Sequence, residues 1–269
     1  MPEERTSSDC FVNVKRRGSA RFRERRHPPF IKWWSGVHVT VGCRPLGTPT
    51  VEYVRDLYHE DLDGITSSLV DITRLAGEAI DRATTALLDA DLSAAEAVIS
   101  GDIAIDQLYA DVEARALNLL ARQQPVASDL RVIITSLRMV ADVERMGDLA
   151  LHIAKVARRR YPASAIPAEL TGTLREMGQV AQHICAKCSE VIAGHDVEAA
   201  TQLERDDDAM DALHRRLFAV LLDPEWDGGV EGAIDVTLCG RYYERFCDHA
   251  VSVARRVVYV VTGEHVAID

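Results

Sequence analysis

The chain has 269 residues, 47% of them hydrophobic and 27% charged, which is enough apolar material for a sizeable core and excludes a disordered chain. Its formal net charge of −11 is unevenly spread. Residues 1–50 hold ten Lys and Arg against four Asp and Glu, a net +6, and the remainder holds 21 against 38, a net −17. The bulk of the chain is therefore a poor ligand for nucleic acid, whose affinity rests on cationic contacts to phosphate, and suits divalent cations better. No run of 18 apolar residues is present, so no transmembrane span is expected. Six cysteines without a secretory signal point to reduced thiols rather than a disulfide framework. Only 6% of residues are aromatic, and abundant Ala, Leu, Val, Glu and Arg favour helices.

Residues 1–53 lack a sustained period and contain Lys15-Arg16-Arg17 and a second basic cluster from Arg21 to Arg26. The stretch Phe30 to Val41 is interrupted by Lys32, Ser35, Gly36 and His38, too broken for the apolar run of a secretory signal. These residues read as a disordered basic extension. Because pattern begins abruptly near Val54, an internal translation start there is expected.

From Val54 to about Ala90, apolar residues at Leu62, Ile65, Leu69, Ile72 and Leu75 have the three and four spacing of a long helix. Asp91 then caps a second helix, Ser93 to Arg122, carrying Ala95, Val98, Ile105, Val112 and Leu119. Pro125 breaks the chain before a third helix, Leu130 to Arg160, whose stripe runs Leu130, Ile133, Leu137, Ala141 and Leu151 and is continued by Glu144 and Asp148. Its terminal Arg158-Arg159-Arg160 complements the helix dipole. Residues 54–160 form one three-helix unit. Tyr161 to Pro167, with two prolines, reads as a linker.

The pattern then restarts over residues 168–263, leaving a tail at 264–269. Leu170 to about Ala193 is helical, Asp196 caps a helix to Leu222, Pro224 to Gly229 breaks the chain, and a final helix from Val230 ends at Gly263. Asp91-Leu-Ser-Ala-Ala matches Asp196-Val-Glu-Ala-Ala at an offset of 105, and Asp102, Asp106 and Leu108 match Asp207, Asp211 and Leu213 at the same offset. Glu144-Arg145 and Asp148 match Glu244-Arg245 and Asp248 at 100. The five-residue difference is assigned to the loops. Such matching implies an internal duplication and an all-α fold: six long helices in two tandem three-helix bundles related by a pseudo-twofold axis.

The repeated acids carry the candidate chemistry. Asp102 with Asp106, Glu144 with Asp148, Asp207 with Asp211, and Glu244 with Asp248 are four-apart pairs, and each unit can bring the pair of its second helix towards the pair of its third. In the fifth helix the seam Leu203, Asp207, Met210, His214, Leu217 places an acid and a histidine at core-type positions. Like charges four apart repel by a few tenths of a kcal/mol, and burying them unpaired costs far more. Oxygen donors from two helices suit Mg, Mn, Ca or ferric iron better than a thiol-seeking metal. The alternative is that these acids are solvated helix faces or are neutralised by arginines such as Arg145 and Arg245.

Cys185-x-x-Cys188, with His183 nearby, reads as buried small thiols rather than a zinc site. His152, His214 and His249 read as half-buried helix residues, with His214 and His249 the candidates for a metal shell. The Glu-x-x-His of catalytic di-iron bundles is missing from these helices, and no phosphate-cradling glycine loop or nucleophile elbow is present. The residues thus point away from an enzyme, the competing class being a carboxylate-bridged metalloenzyme such as a phosphatase or oxidase.

The run Gln123-Gln124-Pro125-Val126-Ala127-Ser128-Asp129-Leu130-Arg131, with Val143-Glu144-Arg145-Met146-Gly147-Asp148 and Tyr243-Glu244-Arg245-Phe246-Cys247-Asp248, resembles the PhoU family of phosphate-signalling regulators. The resemblance spans about Val54 to Thr262. It implies homodimerisation and multinuclear iron or zinc sites, or Mg/Mn sites, with Asp102, Asp106, Glu144 and Asp148 as ligands in one half and Asp207, Asp211, Glu244 and Asp248 in the other. It further implies a cytoplasmic protein that damps phosphate uptake through a phosphate ABC transporter, with the transporter ATPase and a phosphate sensor histidine kinase as partners.

Overall fold

The computed structural model describes residues 51–264, with side chains from Tyr58 onward. The basic extension lies outside the described residues except for 51–53, which open the first helix, and Cys10, Cys43 and the tail beyond Glu264 lie outside them too. All regular structure among the described residues is helical: α1 (Val51–Asp89), α2 (Leu92–Gln123), α3 (Ala127–Arg160), a 3-10 turn (Ala168–Leu170), α4 (Thr171–Gly194), α5 (Val197–Leu221) and α6 (Gly229–Thr262).

The caps expected from sequence are in place at both repeats. Asp91 accepts from the Ala94 amide at 3.0 Å, and Asp196 accepts from the Glu198 and Ala199 amides at 2.9 and 3.0 Å. Each satisfies amides that the first turn leaves without a helical partner. The residue before each cap, Ala90 and His195, turns the chain in the left-handed region at φ 52°. Gly263, at φ +79°, closes α6 where a side chain would be strained.

The six helices pack as two bundles, α1–α2–α3 and α4–α5–α6, joined by α1 against α4 and α3 against α6. Helix α2 packs on α1 and α3, and α5 on α4 and α6, so each forms an outer flank. Helices α1 and α4 run antiparallel, with Gly77 beside Cys185 and Thr84 beside Gly178. A Cβ on Gly178 would lie 2.5 Å from Thr84 Cγ2, so the two backbones approach there only because Gly178 has no side chain. Thr84 Oγ1 also meets the buried Tyr243 hydroxyl at 2.7 Å, tying α1 to α6. Helices α3 and α6 are antiparallel as well, with Asp142 meeting Arg256 and Arg160 meeting Glu231.

Fully buried Ile65, Leu69, Ile72, Ile133, Met146 and Phe246 lie in one continuous core. Burying each such side chain stabilises the fold by about 1.5–3 kcal/mol. Two sequence expectations are corrected. The five-residue offset does not lie in a loop: α2 has 32 residues and α5 only 25, so the helix is shortened. The expected α3 stripe is buried at Ile133 and Leu151 but not at Leu130, Leu137 and Ala141; the deepest face runs through Ile133, Val140, Val143, Met146 and Ala150, because α3 packs on α1, α2 and α6 together. Leu130 is exposed.

Candidate functional site

Each acidic quartet sits at the margin of a helix seam, α2 on α3 in the first bundle and α5 on α6 in the second. The two seams carry the same exposure pattern. Asp102 and Asp207 are half-buried, Asp106 and Asp211 are exposed, and Glu144, Asp148, Glu244 and Asp248 are half-buried. Between Glu144 and Asp148, Gly147 lets α2 close on α3, since a Cβ there would stand 2.8 Å from Ile105 Cδ1 and 3.5 Å from Asp102 Oδ1.

The acids feel one another. Burial, then the charges of Asp106 and Asp148, raise the Asp102 carboxyl above its ordinary value, against Lys155 and His152. Burial, then Asp148, raise Glu144, with Asp106 and Asp102 adding to the effect and Arg145 opposing it. In the second bundle burial pushes Asp207 up to about 7, aided by Asp248, Asp211 and Glu244. Within each half the predicted acids lie near enough for their charges to act on one another.

Arginines neutralise part of each set. Arg145 Nη1 donates to Asp148 Oδ2 at 2.7 Å, with its Nε 3.6 Å from Glu144 Oε2. Arg241 bonds Glu244, and Arg245 Nη1 reaches Asp248 Oδ2 at 3.4 Å. These guanidinium groups are largely solvated, 63% exposed for Arg145, so the pairs are worth little. Asp102, Asp106, Asp207 and Asp211 have no ion pair or side-chain hydrogen bond among the described residues.

The donors suit a hard cation in kind, since all are carboxylate oxygens; burial first, and neighbouring carboxylates after it, raise Asp207. They are not already drawn onto a common point, for among the described residues no three His, Cys, Asp or Glu groups form a metal-holding cluster.

The cysteines lie elsewhere, whereas His152 stands beside the first quartet, its Nδ1 2.5 Å from the Asp148 carbonyl oxygen. Cys185 and Cys188 are buried, and loss of hydration pushes Cys185 up to about 12 and Cys188 also well up. The Cys185 thiol bonds the Thr73 carbonyl at 3.2 Å, as a small packed side chain does. His214 packs edge-on against Phe218, and His152 lies beside Tyr242. His249 Nδ1 stands 3.1 Å from Asp142 Oδ1 rather than joining a quartet.

Sequence reading missed two acids that join the bundles. Asp142 on α3 receives His249 and Arg256 of α6; its burial raises the carboxyl, but those two hydrogen bonds outweigh it and hold the carboxyl below the ordinary range. Asp235 of α6 is buried, hydrogen-bonded by Arg159 and ion-paired with Arg160, whose Nε stands 2.9 Å from Oδ2 without hydrogen-bond geometry, so the basic end of α3 binds across the bundles as well as complementing its dipole. Their repeat counterparts are Tyr242 and Thr135, so the duplication gave no signal. The one available cue was an acid at the core spacing of Gly232, Val236, Cys239 and Tyr243.

No helix among the described residues is long and apolar enough to cross a membrane. The PhoU domain matches the chain twice, at residues 69–157 and 174–257, one match per bundle. The phosphate-specific transport system accessory protein PhoU homolog 2 of Mycobacterium tuberculosis is 53% identical over 210 residues, covering 78% of this chain and 99% of that protein. The crystal structure of PhoU from Pseudomonas aeruginosa superposes with a TM-score of 0.68 at 27% identity, covering 77% of this chain and all of that one. The phosphate transport system regulatory protein PhoU from Streptococcus pneumoniae gives 0.69 at 27% identity, covering 78% of this chain and all of that one. With two domain matches, one on each bundle, and a relative identical at half its positions over nearly its whole length, the chain belongs to the PhoU family.

Proposed function

We propose that the chain is a non-enzymatic accessory regulator of phosphate transport. It acts in the cytoplasm as a homodimer, damps uptake through a phosphate ABC transporter and mutes a phosphate sensor histidine kinase when phosphate is plentiful. The observation that carries this reading is the pair of acidic quartets, repeated at matched positions and exposures on a chain so similar to proteins named as accessories of phosphate-specific transport.

A bound cation, with Mg, Mn or ferric iron favoured by the oxygen donors and multinuclear iron or zinc as the family alternative, supplies positive charge to each seam. Asp102 and Asp106 hold it from α2, Glu144 and Asp148 from α3; Asp207, Asp211, Glu244 and Asp248 do the same in the second bundle. Because α2 and α5 are flanks, relief of repulsion at the seam sets how closely each lies on its bundle. The outer surface thus fixed is what docks on the transporter ATPase or the kinase.

Glu144→Ala combined with Asp148→Ala is expected to lower the metal content of protein purified without chelator and to abolish phosphate repression of a starvation reporter. Metal content unchanged, by elemental analysis under conditions that load the wild type, would refute the cation part of this reading.

A further inference from the structure

Helices α3 and α6 are exchanged by the pseudo-twofold axis, as are α1 and α4 in the layer behind them. The axis therefore stands normal to both layers, and the solvent-facing edges of α3 and α6 look out of one face. That face carries apolar side chains at matched places near its two ends. Leu130 and Ile134 are 40% and 38% exposed at the start of α3, and their counterparts Val230 and Ile234 are 78% and 52% exposed at the start of α6. Because the helices are antiparallel, the two pairs lie at opposite ends.

The ends differ in shape and charge. At the α3 end Val126 projects, 74% exposed, with Arg122 four residues before it and Arg138 one turn beyond Ile134, neither arginine having an ion pair among the described residues. Of the acids at this end, Asp129 is half-buried against Tyr58, and exposed Glu264 follows Gly263, which lies against Arg131. At the α6 end a groove of about 560 Å³ runs between Trp226 and α6, floored by Val230, Ala233, Ile234 and Leu238. Exposed Glu225 and Asp227, on either side of Trp226 in sequence, have no ion pair among the described residues, while Glu231 is met by Arg160 at 2.7 Å and Arg159 pairs with Asp235 at the same end. A ridge with a basic rim thus faces one way along the molecule, and a groove with an acidic rim the other.

We infer that this face is where two copies of the chain pair, antiparallel, the Val126–Leu130–Ile134 ridge of each copy seated in the Trp226 groove of the other. The partner is a second copy because one chain presents both complementary halves. A twofold pairing of this face can set like ends or unlike ends together. Like ends place arginine on arginine and carboxylate on carboxylate, which costs free energy, whereas unlike ends pair opposite charges at both contacts and close the assembly as a dimer. Apolar residues then fill the centre of each contact and charges its rim, the usual anatomy of an interface. This rests on the homodimer part of the proposed function and adds to it the surface and its polarity.

Sedimentation equilibrium on the full chain tests it. The wild type is expected to sediment as a dimer, and Val230→Asp with Ile234→Asp to raise the dissociation constant by at least about tenfold. Arg122→Glu with Arg138→Glu is expected to raise it by about tenfold, and adding Glu225→Arg with Asp227→Arg to that variant to restore wild-type pairing. Unchanged helical circular dichroism shows that the charge variants are folded. A dimer indifferent to both the apolar and the charge changes would overturn the surface while leaving homodimerisation standing. Loss with the apolar pair but none with the arginine pair would overturn the antiparallel polarity. A wild type that sediments as a monomer overturns both the surface and the homodimer.

Discussion

Saturating Mn(II) at pH 8 is expected to raise the midpoint of thermal unfolding by about 5–10 °C for each seam loaded, relative to chelator-treated protein. A ligand at a hundred times its dissociation constant adds about 2.7 kcal/mol, and each kcal/mol shifts a protein of this size by roughly 2–4 °C. The pH dependence gives the sign. Burial, with Asp248, Asp211 and Glu244 behind it, lifts Asp207 from the ordinary 3.8 to about 7. A folded value above the unfolded one means that the protonated carboxyl stabilises the fold. That contribution is whole below the unfolded value and is lost as the pH climbs through about 7.

Metal-free protein should therefore melt higher at pH 5 than at pH 8. Asp207→Asn should flatten the difference and raise the midpoint at pH 8 by roughly 2–4 °C, since half-burial and solvent screening hold the effect to about 1 kcal/mol. The lowered carboxyls of Asp142, Asp206 and Glu231 titrate at more acid pH and do not disturb this window. Protons compete with the cation, so the gain on loading should shrink towards pH 5. Differential scanning calorimetry with chelator and with Mn(II) reads both slopes. A metal-free midpoint that rises from pH 5 to 8, alike in wild type and Asp207→Asn, would contradict the raised carboxyl.

Asp235→Ala is expected to cost about 3 kcal/mol. Asp235 has 4% of its side chain exposed, is hydrogen-bonded by Arg159 and is ion-paired with Arg160 across the α3–α6 contact. Removing one member of a buried ion pair typically costs 3–5 kcal/mol, because its partners keep their desolvation without their compensation. Here Arg160 is 27% and Arg159 58% exposed, so both recover some hydration and the lower end of that range applies. Asp235→Asn, which keeps a hydrogen-bond acceptor, should lose less. Urea unfolding followed by circular dichroism measures both, and a loss under 1 kcal/mol for the alanine would show that the bridge does not join the bundles energetically.

The helices could be read from sequence because their signals are local. Apolar spacing along 54–90 marked α1, Asp91 and Asp196 marked the starts of α2 and α5, and Pro125 and Gly263 marked breaks that the fold keeps. The quartets could be read because the duplication repeats them, so that four weak pairs became one pattern. What could not be read depends on which helices become neighbours. Periodicity put Glu144 and Asp148 on the α3 stripe, but three packing partners move the deepest line to Val140, Val143 and Met146 and leave the acids at its margin. The cross-bundle hydrogen bonds at Asp142 and Asp235 join residues 76 to 114 apart and have no repeat counterpart, so neither local spacing nor duplication marks them.

Anomalous diffraction at the manganese edge, on crystals of protein loaded with Mn(II), tests the cation reading of the quartets most directly. Two sets of peaks are expected: one in the α2–α3 seam among oxygens of Asp102, Asp106, Glu144 and Asp148, the other in the α5–α6 seam among those of Asp207, Asp211, Glu244 and Asp248. Arg145, Arg241 and Arg245 should be turned away from their carboxylates. Seams without anomalous density, with Arg145 still on Asp148 and Arg241 still on Glu244, would show that guanidinium groups and water, not metal, neutralise these acids.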